Sequence, residues 1–135
     1  MYLLDTNVMS ELRRAKPHGA VLAWLNGVDA SQLYLSAVTL GEIQAGIEIT
    51  RRHDAERAND LEIWVDQIAA TWNVLPMDGA AFRLWARLMH GKSPDLAEDA
   101  MIAATAMLHG FRVVTRNVKD FRAFDVAILN PFTAR

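Results

Sequence analysis

The sequence predicts an α/β fold in which a parallel sheet is covered by helices on both faces. Short apolar runs with strand-forming composition alternate with helical stretches almost throughout the chain, the order that βα units produce. At 135 residues the chain has the length of one domain, residues 1–135, with room for a full core. It carries no internal repeat, linker or low-complexity segment.

The elements can be justified in order. Leu3-Leu4 is a short strand, and Asn7 to Arg13 begins a helix that Asp5 or Thr6 can cap. Lys16-Pro17-His18-Gly19 breaks it, and Ala20 to Asn26 reads as a second short helix. Leu33 to Val38 is rich in strand formers. From Thr39 the period turns helical, with Leu40, Ile43 and Ile47 on one face. Arg51-Arg52-His53-Asp54 interrupts the pattern before Leu61, Trp64, Val65, Ile68 and Trp72 form a second stripe, so the arm from Ala45 to Trp72 reads as a helical hairpin. Val74-Leu75 is a short strand stopped by Pro76. Gly79 to His90 is a helix with Phe82, Trp85 and Leu88-Met89 inward. Ser93-Pro94 starts a helix that runs to Leu108 and stops at Gly110. Arg112 to Thr115 and Val126 to Leu129 complete the strands.

Composition excludes several classes. There is no cysteine, so no disulfide scaffold and no cysteine-based zinc site exists. The four histidines, His18, His53, His90 and His109, lie too far apart in sequence to suggest a metal pair. The first residues show no basic and apolar leader, and the longest apolar window, Ala100 to Leu108, is too short to span a bilayer. The expectation is a cytoplasmic protein with no membrane partner. A net charge of −2 excludes a bulk polycation but leaves nucleic acid open, because phosphate binding depends on where the basic residues lie.

The acids carry the chemical signal. In an open parallel sheet, ligands bind beyond the carboxyl ends of the strands. Asp5 directly follows the first strand. Glu42 lies in the first turns of the helix after the second. Asp120 follows the strand that ends at Thr115, and Asp99 shares a helix face with Asp95 near the start of the helix before it. The small residues Ala103, Ala104 and Ala106 behind Asp99 let that helix lie close to the sheet. Each acid has a plainer reading. Asp5 can be a helix cap, the first-turn acids Glu42, Asp95, Glu98 and Asp99 suit the helix dipole, and Asp120 can close a turn. Those readings do not explain why the acids converge on one edge. Converging carboxylates raise one another's pKa unless a cation sits among them, and these motifs hold no lysine or arginine at their core. Mg²⁺ or Mn²⁺, hard ions that take oxygen ligands, are the natural counter-charge, and such a site suits phosphodiester hydrolysis.

Four segments, LLDTNVMSEL (3–12), SAVTLGEI (36–43), EDAMIAATA (98–106) and VTRNVKDF (114–121), resemble in order and spacing the PIN-domain ribonucleases, most of all the VapC and FitB toxins of bacterial toxin–antitoxin pairs. The end of the chain, Ala127 to Phe132, is similar too. The resemblance implies a three-layer fold with a central parallel sheet of about five strands. It implies an Mg²⁺- or Mn²⁺-dependent endoribonuclease, neutralised by a cognate antitoxin protein and assembled as a homodimer or a larger toxin–antitoxin complex. Carried over by motif, Asp5, Glu42, Asp99 and Asp120 match the family's catalytic acids, with Asp5, Asp99 and Glu42 as metal ligands. Thr6, Thr115 and Asn117 match polar residues lining the same pocket. Many relatives carry an acid where this chain has Asn117, which leaves Asp120 with Asn117 to orient the attacking water. Asp95 and Glu98 fall outside the matched quartet. Arg13, Arg14, Lys92, Arg116 and Lys119 lie near the same edge as candidates for the RNA backbone. The apolar excess of the helical arms is where the resemblance places the antitoxin groove and a dimer face.

Two other readings compete. A phosphatase with Asp5 as nucleophile normally has a second Asp two residues on, where this chain has Asn7. A non-catalytic PIN-like module would keep the pocket and only dock RNA or protein.

Overall fold

The computed structural model describes residues 1–133; the last two residues of the expected span lie outside them. Five parallel strands form one sheet: β1 (Tyr2–Leu4), β2 (Leu33–Ser36), β3 (Asn73–Leu75), β4 (Arg112–Val114) and β5 (Ile128–Leu129), in the order β3-β2-β1-β4-β5. The connecting helices are α1 (Thr6–Glu11), α2 (Gly19–Asn26), α3 (Ala37–Arg51), α4 (Ala55–Thr71), α5 (Gly79–Met89), α6 (Ala97–His109) and α7 (Val118–Phe121). No helix among the described residues is long and apolar enough to cross a membrane.

Both faces of the sheet are apolar because both are covered. Successive residues of a strand point to opposite faces, so Leu3 and Val113 pack with Ala100, Ile102, Ala103 and Ala106 of α6, whereas Leu4, Leu35 and Val114 pack with Val8, Met9 and Val21 of α1 and α2. The three alanines remove side-chain bulk between α6 and the strands, so the helix axis approaches the sheet closely. The indole N–H of Trp85 in α5 donates to the carbonyl of Ala97 at 2.9 Å, which ties the first turn of α6 to its neighbour.

The arm between β2 and β3 is a hairpin of α3 on α4. Its seam is Ile43, Ile47, Ala58 and Val65. Arg51 spans the two helices, reaching Glu48 at 3.1 Å and Glu62 at 2.8 Å, but these pairs are solvent-accessible. Exposed ion pairs contribute roughly 0.2–1 kcal/mol each, so the buried seam holds the hairpin.

Several boundaries differ from the sequence reading for local reasons. The second strand stops at Ser36 rather than Val38, because the Ser36 hydroxyl accepts the Val38 N–H (3.1 Å) and starts α3 there. The last strand begins at Ile128, not Val126. The Ser93 hydroxyl accepts the N–H of Asp95, yet it caps only a 3₁₀ turn, Pro94–Leu96, and α6 begins at Ala97. Asp95 therefore lies in the 3₁₀ turn, ahead of the first turn of α6 that carries Asp99. Phe82 is 46% exposed rather than inward. Gly110 ends α6 with φ +68°, the left-handed geometry glycine adopts without steric cost.

If close approach of α6 is what the alanines provide, Ala103→Leu will lower stability by about 1–3 kcal/mol in urea denaturation. Leu108→Ala, on the exposed face of the same helix, will change it by roughly 0.5 kcal/mol or less.

Candidate active site

The sheet order puts the reversal at β1, whose neighbours β2 and β4 belong to opposite halves of the chain. Such a reversal opens a crevice beyond the carboxyl ends of the central strands. Leu4 pairs with both Leu35 and Val114, so Asp5, Ser36 and Thr115 follow the same rung of the sheet. Helices that cover a parallel sheet run back against the strands. The start of α3, just after β2, and the start of α6, just before its return to β4, therefore both lie at this edge.

Asp5 is the centre of the crevice. It is only 4% exposed, and its carboxylate is held from three sides. Oδ1 accepts the Thr6 N–H at 2.8 Å. Oδ2 accepts the Thr115 hydroxyl at 2.7 Å and the Asn7 side-chain amide at 3.1 Å. The Thr115 oxygen in turn accepts the backbone N–H of Asn117 at 2.9 Å, and the Asn7 carbonyl oxygen accepts the N–H of Arg116 at 3.2 Å. The loop after β4 is thus hydrogen-bonded to the loop after β1.

Glu42 is brought in by a second hydroxyl. Thr6 Oγ1 donates to Glu42 Oε1 at 2.7 Å and is also paired with the buried Thr39 hydroxyl at 3.2 Å. Asp99, in the first turn of α6, completes the inner group; Glu98 beside it and Asp120 on α7 are exposed.

The electrostatics follow from this crowding. Burial raises the Asp5 pKa, and hydrogen bonds from Thr115, Thr6 and Asn7 oppose that rise. Burial also raises Glu42, with the Thr6 hydroxyl opposing and the charges of Asp5 and Glu98 adding to it. Asp99 is pushed up to about 7, first by burial and then by the charges of Asp5, Asp120, Glu42 and Glu98. No cation offsets them: the salt bridges among the described residues involve Glu11, Glu48 and Glu62. As the side chains stand, no three His, Asp or Glu groups among the described residues are close enough to hold one ion.

The structure therefore brings Asp5, Thr6, Glu42, Asp99, Thr115, Asn117 and Asp120 to one edge and sets Asp95 apart. Asp95 is exposed and is not among the charges that raise Asp99. Glu98, which sequence reasoning left outside the quartet, does act on both Glu42 and Asp99. Asn7 and Thr39 were not singled out for this pocket either. The Asp5-Thr6-Asn7 triplet held the signal for Asn7, since a polar residue two places after a strand-end acid can reach back to it.

The basic candidates separate. Arg13 lines a cavity of about 140 Å³ between α1 and the α3–α4 hairpin, together with Thr6, Ser10, Glu42 and Thr50. Burial, Arg57 and Arg14 all lower the Arg13 pKa, which places three guanidiniums in one neighbourhood. Arg14 lies 3.7 Å from the buried Glu11. Lys92 and Lys119 are exposed, and Arg116 lies over the ring of Phe132.

Two outcomes follow for the metal-free protein. Asp99 binds its proton more tightly folded, near 7, than unfolded, near 4, and Asp5 and Glu42 shift the same way. The folded state then holds more protons between those values, so in EDTA the melting temperature will fall as pH rises from 5 to 8. Thr115→Val, which leaves the buried Asp5 short of a donor, will cost about 1–3 kcal/mol at neutral pH, and Thr115→Ser will recover most of it in the same urea titration.

The comparisons with known proteins agree with this geometry. The family model of the PIN domain matches residues 2–127. The chain is 40% identical to the VapC ribonuclease Y4jK of Sinorhizobium fredii over 98% of both chains. It is 36% identical to the toxin FitB of Neisseria gonorrhoeae over 98% of this chain and 99% of that protein. Among solved structures, the crystal structure of FitAcB from Neisseria gonorrhoeae superposes with a TM-score of 0.86 at 36% identity, covering 99% of this chain and 100% of that one. FitAB bound to a DNA fragment gives the same TM-score. With its sheet order, its acid-lined edge and full-length relatives in agreement, the chain belongs to the PIN-domain family, alongside the VapC and FitB toxins.

Proposed function

We propose that this chain is an endoribonuclease toxin that uses Mg²⁺ or Mn²⁺ at the Asp5 crevice and is held inactive by an antitoxin protein. The observation that carries the reading is a buried carboxylate among four others with no cation to balance them. Asp5 has three donors on its two oxygens, which leaves room for a further partner. The donor set is all oxygen, as these hard ions require. Asp5, Asp99 and Glu42 would hold the ion, and Glu98 adds negative charge beside them. No three of these groups are close enough to hold one ion as they stand, so binding requires their side chains to draw together.

When bound, the ion supplies an activated water and neutralises charge developing on the phosphate. The protein's own groups do the positioning. Thr115 and Asn7 fix the Asp5 carboxylate, and the Thr6 hydroxyl fixes Glu42. Asp120, exposed on α7, and Asn117 border the open side, where they orient the attacking water. Arg13, Arg14, Lys92, Arg116 and Lys119 are the basic residues that would meet the RNA backbone. The names of the relatives, a VapC ribonuclease and a FitB toxin, support the substrate class, and the FitAB complex supports a protein partner. Exposed Ile49 and Ile63 on the α3–α4 hairpin supply apolar surface for that partner or for a second copy.

The test is incubation of a mixed cellular RNA pool with the purified chain in Mn²⁺, Mg²⁺ or EDTA, beside Asp5→Asn prepared identically. Cleavage that needs metal and is lost in the variant is expected. Asp99→Asn will lose activity on the order of a hundredfold or more with an unchanged circular dichroism spectrum. Cutting that persists in EDTA or in Asp5→Asn contradicts the reading. RNA retention with no cutting in Mn²⁺, Mg²⁺ or EDTA would favour a binding module instead.

A further inference from the structure

Arg116 stands beside the acids yet does not neutralise them. Its backbone N–H donates to Asn7, whose amide donates to Asp5, so the two residues are linked through a single side chain. A guanidinium on a flexible stem next to several unbalanced carboxylates would ordinarily turn inward and pair with one of them. This one lies on the face of Phe132, with its central carbon 3.9 Å from the ring centroid. It forms no ion pair among the described residues and is not among the charges acting on Asp5, Glu42 or Asp99.

The platform beneath it is built. The Asn130 side chain accepts the N–H of Phe132 at 2.9 Å, an Asx turn that fixes the backbone carrying the ring. Pro131 is buried, and Phe132 packs against the core cluster beneath α1 and α2. Its ring also meets His18 edge-on at 5.3 Å. The N–H of Thr115 donates to the carbonyl of Leu129 at 2.9 Å, which keeps the two chain segments in register. Lys92 and Lys119 have no comparable ring contact among the described residues. Stacking occupies the face of a guanidinium and leaves its N–H edge free, and that edge matches two phosphate oxygens at once.

We propose that Arg116 grips a backbone phosphate of the RNA at the β1–β4 edge. Phe132 is the positioning residue that keeps it outside the acid cluster and aimed at the strand. The inference rests on the ribonuclease reading and goes beyond it by assigning one phosphate contact and its support.

Fluorescence anisotropy of a short mixed-sequence single-stranded RNA, titrated in EDTA across a range of salt, tests it. Arg116→Ala will weaken Kd about tenfold at low salt and reduce the slope of log K against log salt by about 0.7, the value of one phosphate contact on a single strand. Phe132→Leu will weaken Kd by a comparable factor, and Phe132→Trp, which keeps an aromatic face, will restore it. The double variant Arg116→Ala/Phe132→Leu will bind no worse than Arg116→Ala alone. A merely structural Phe132 would add its loss to that of Arg116→Ala, and that result overturns its role. Wild-type Kd and slope in Arg116→Ala overturn the phosphate contact while leaving the ribonuclease reading in place. An unmodified chain that neither binds nor cuts RNA overturns both.

Discussion

The arrangement depends on one buried carboxylate. Asp5 must be desolvated because β1 is the central strand and its carboxyl end opens into the crevice where the sheet reverses direction. Desolvation of an ionised carboxylate is costly, and the protein offsets it with neutral donors: a backbone N–H, a hydroxyl and an amide. A paired lysine or arginine would have offset it more fully. That choice leaves the crevice negative. Neutral donors fix the carboxylate's position without cancelling its charge, so Asp5 stays available to a cation from solution.

The same logic extends outward. Thr6 and Thr115 each serve an acid, so two threonine hydroxyls orient Asp5 and Glu42 from different segments of the chain. The alanine face of α6 brings Asp99 near enough that four other carboxylates act on it. Positive charge is kept to the rim. Arg13 stands over a cavity beside Glu42, and Arg116 is laid on Phe132. A negative crevice bordered by guanidiniums is the charge pattern that would suit a polyanion bound through a metal ion.

Much of this was legible in the chain because the physics is local. Alternating strand-like and helical segments give the parallel sheet. The position of Asp5 after an apolar run, of Glu42 early in the helix after the second strand and of Asp99 in a first turn puts them at its carboxyl edge. What the sequence withheld depended on contacts between distant segments. The reach of Thr115 to Asp5 spans 110 positions, and the cation–π platform joins a loop to the end of the chain. Ser93-Pro94 is an equally good signal for a 3₁₀ turn, so α6 starts at Ala97, with Asp95 in the turn and Glu98 and Asp99 in the first turn of the helix. Phe82 looked inward by periodicity but is 46% exposed, with its ring edge-on to Trp85.

The most direct test of the central claim is calorimetric titration of Mn²⁺ into the purified chain, repeated in buffers of different ionisation enthalpy at pH 6.5 and pH 8.5. If unbalanced carboxylates hold a proton near neutrality, with Asp99 near 7, binding will expel that proton. Proton release will then be a large fraction of one per ion at pH 6.5 and close to zero at pH 8.5. Absence of binding at millimolar Mn²⁺, or binding with no proton release at either pH, would contradict the account.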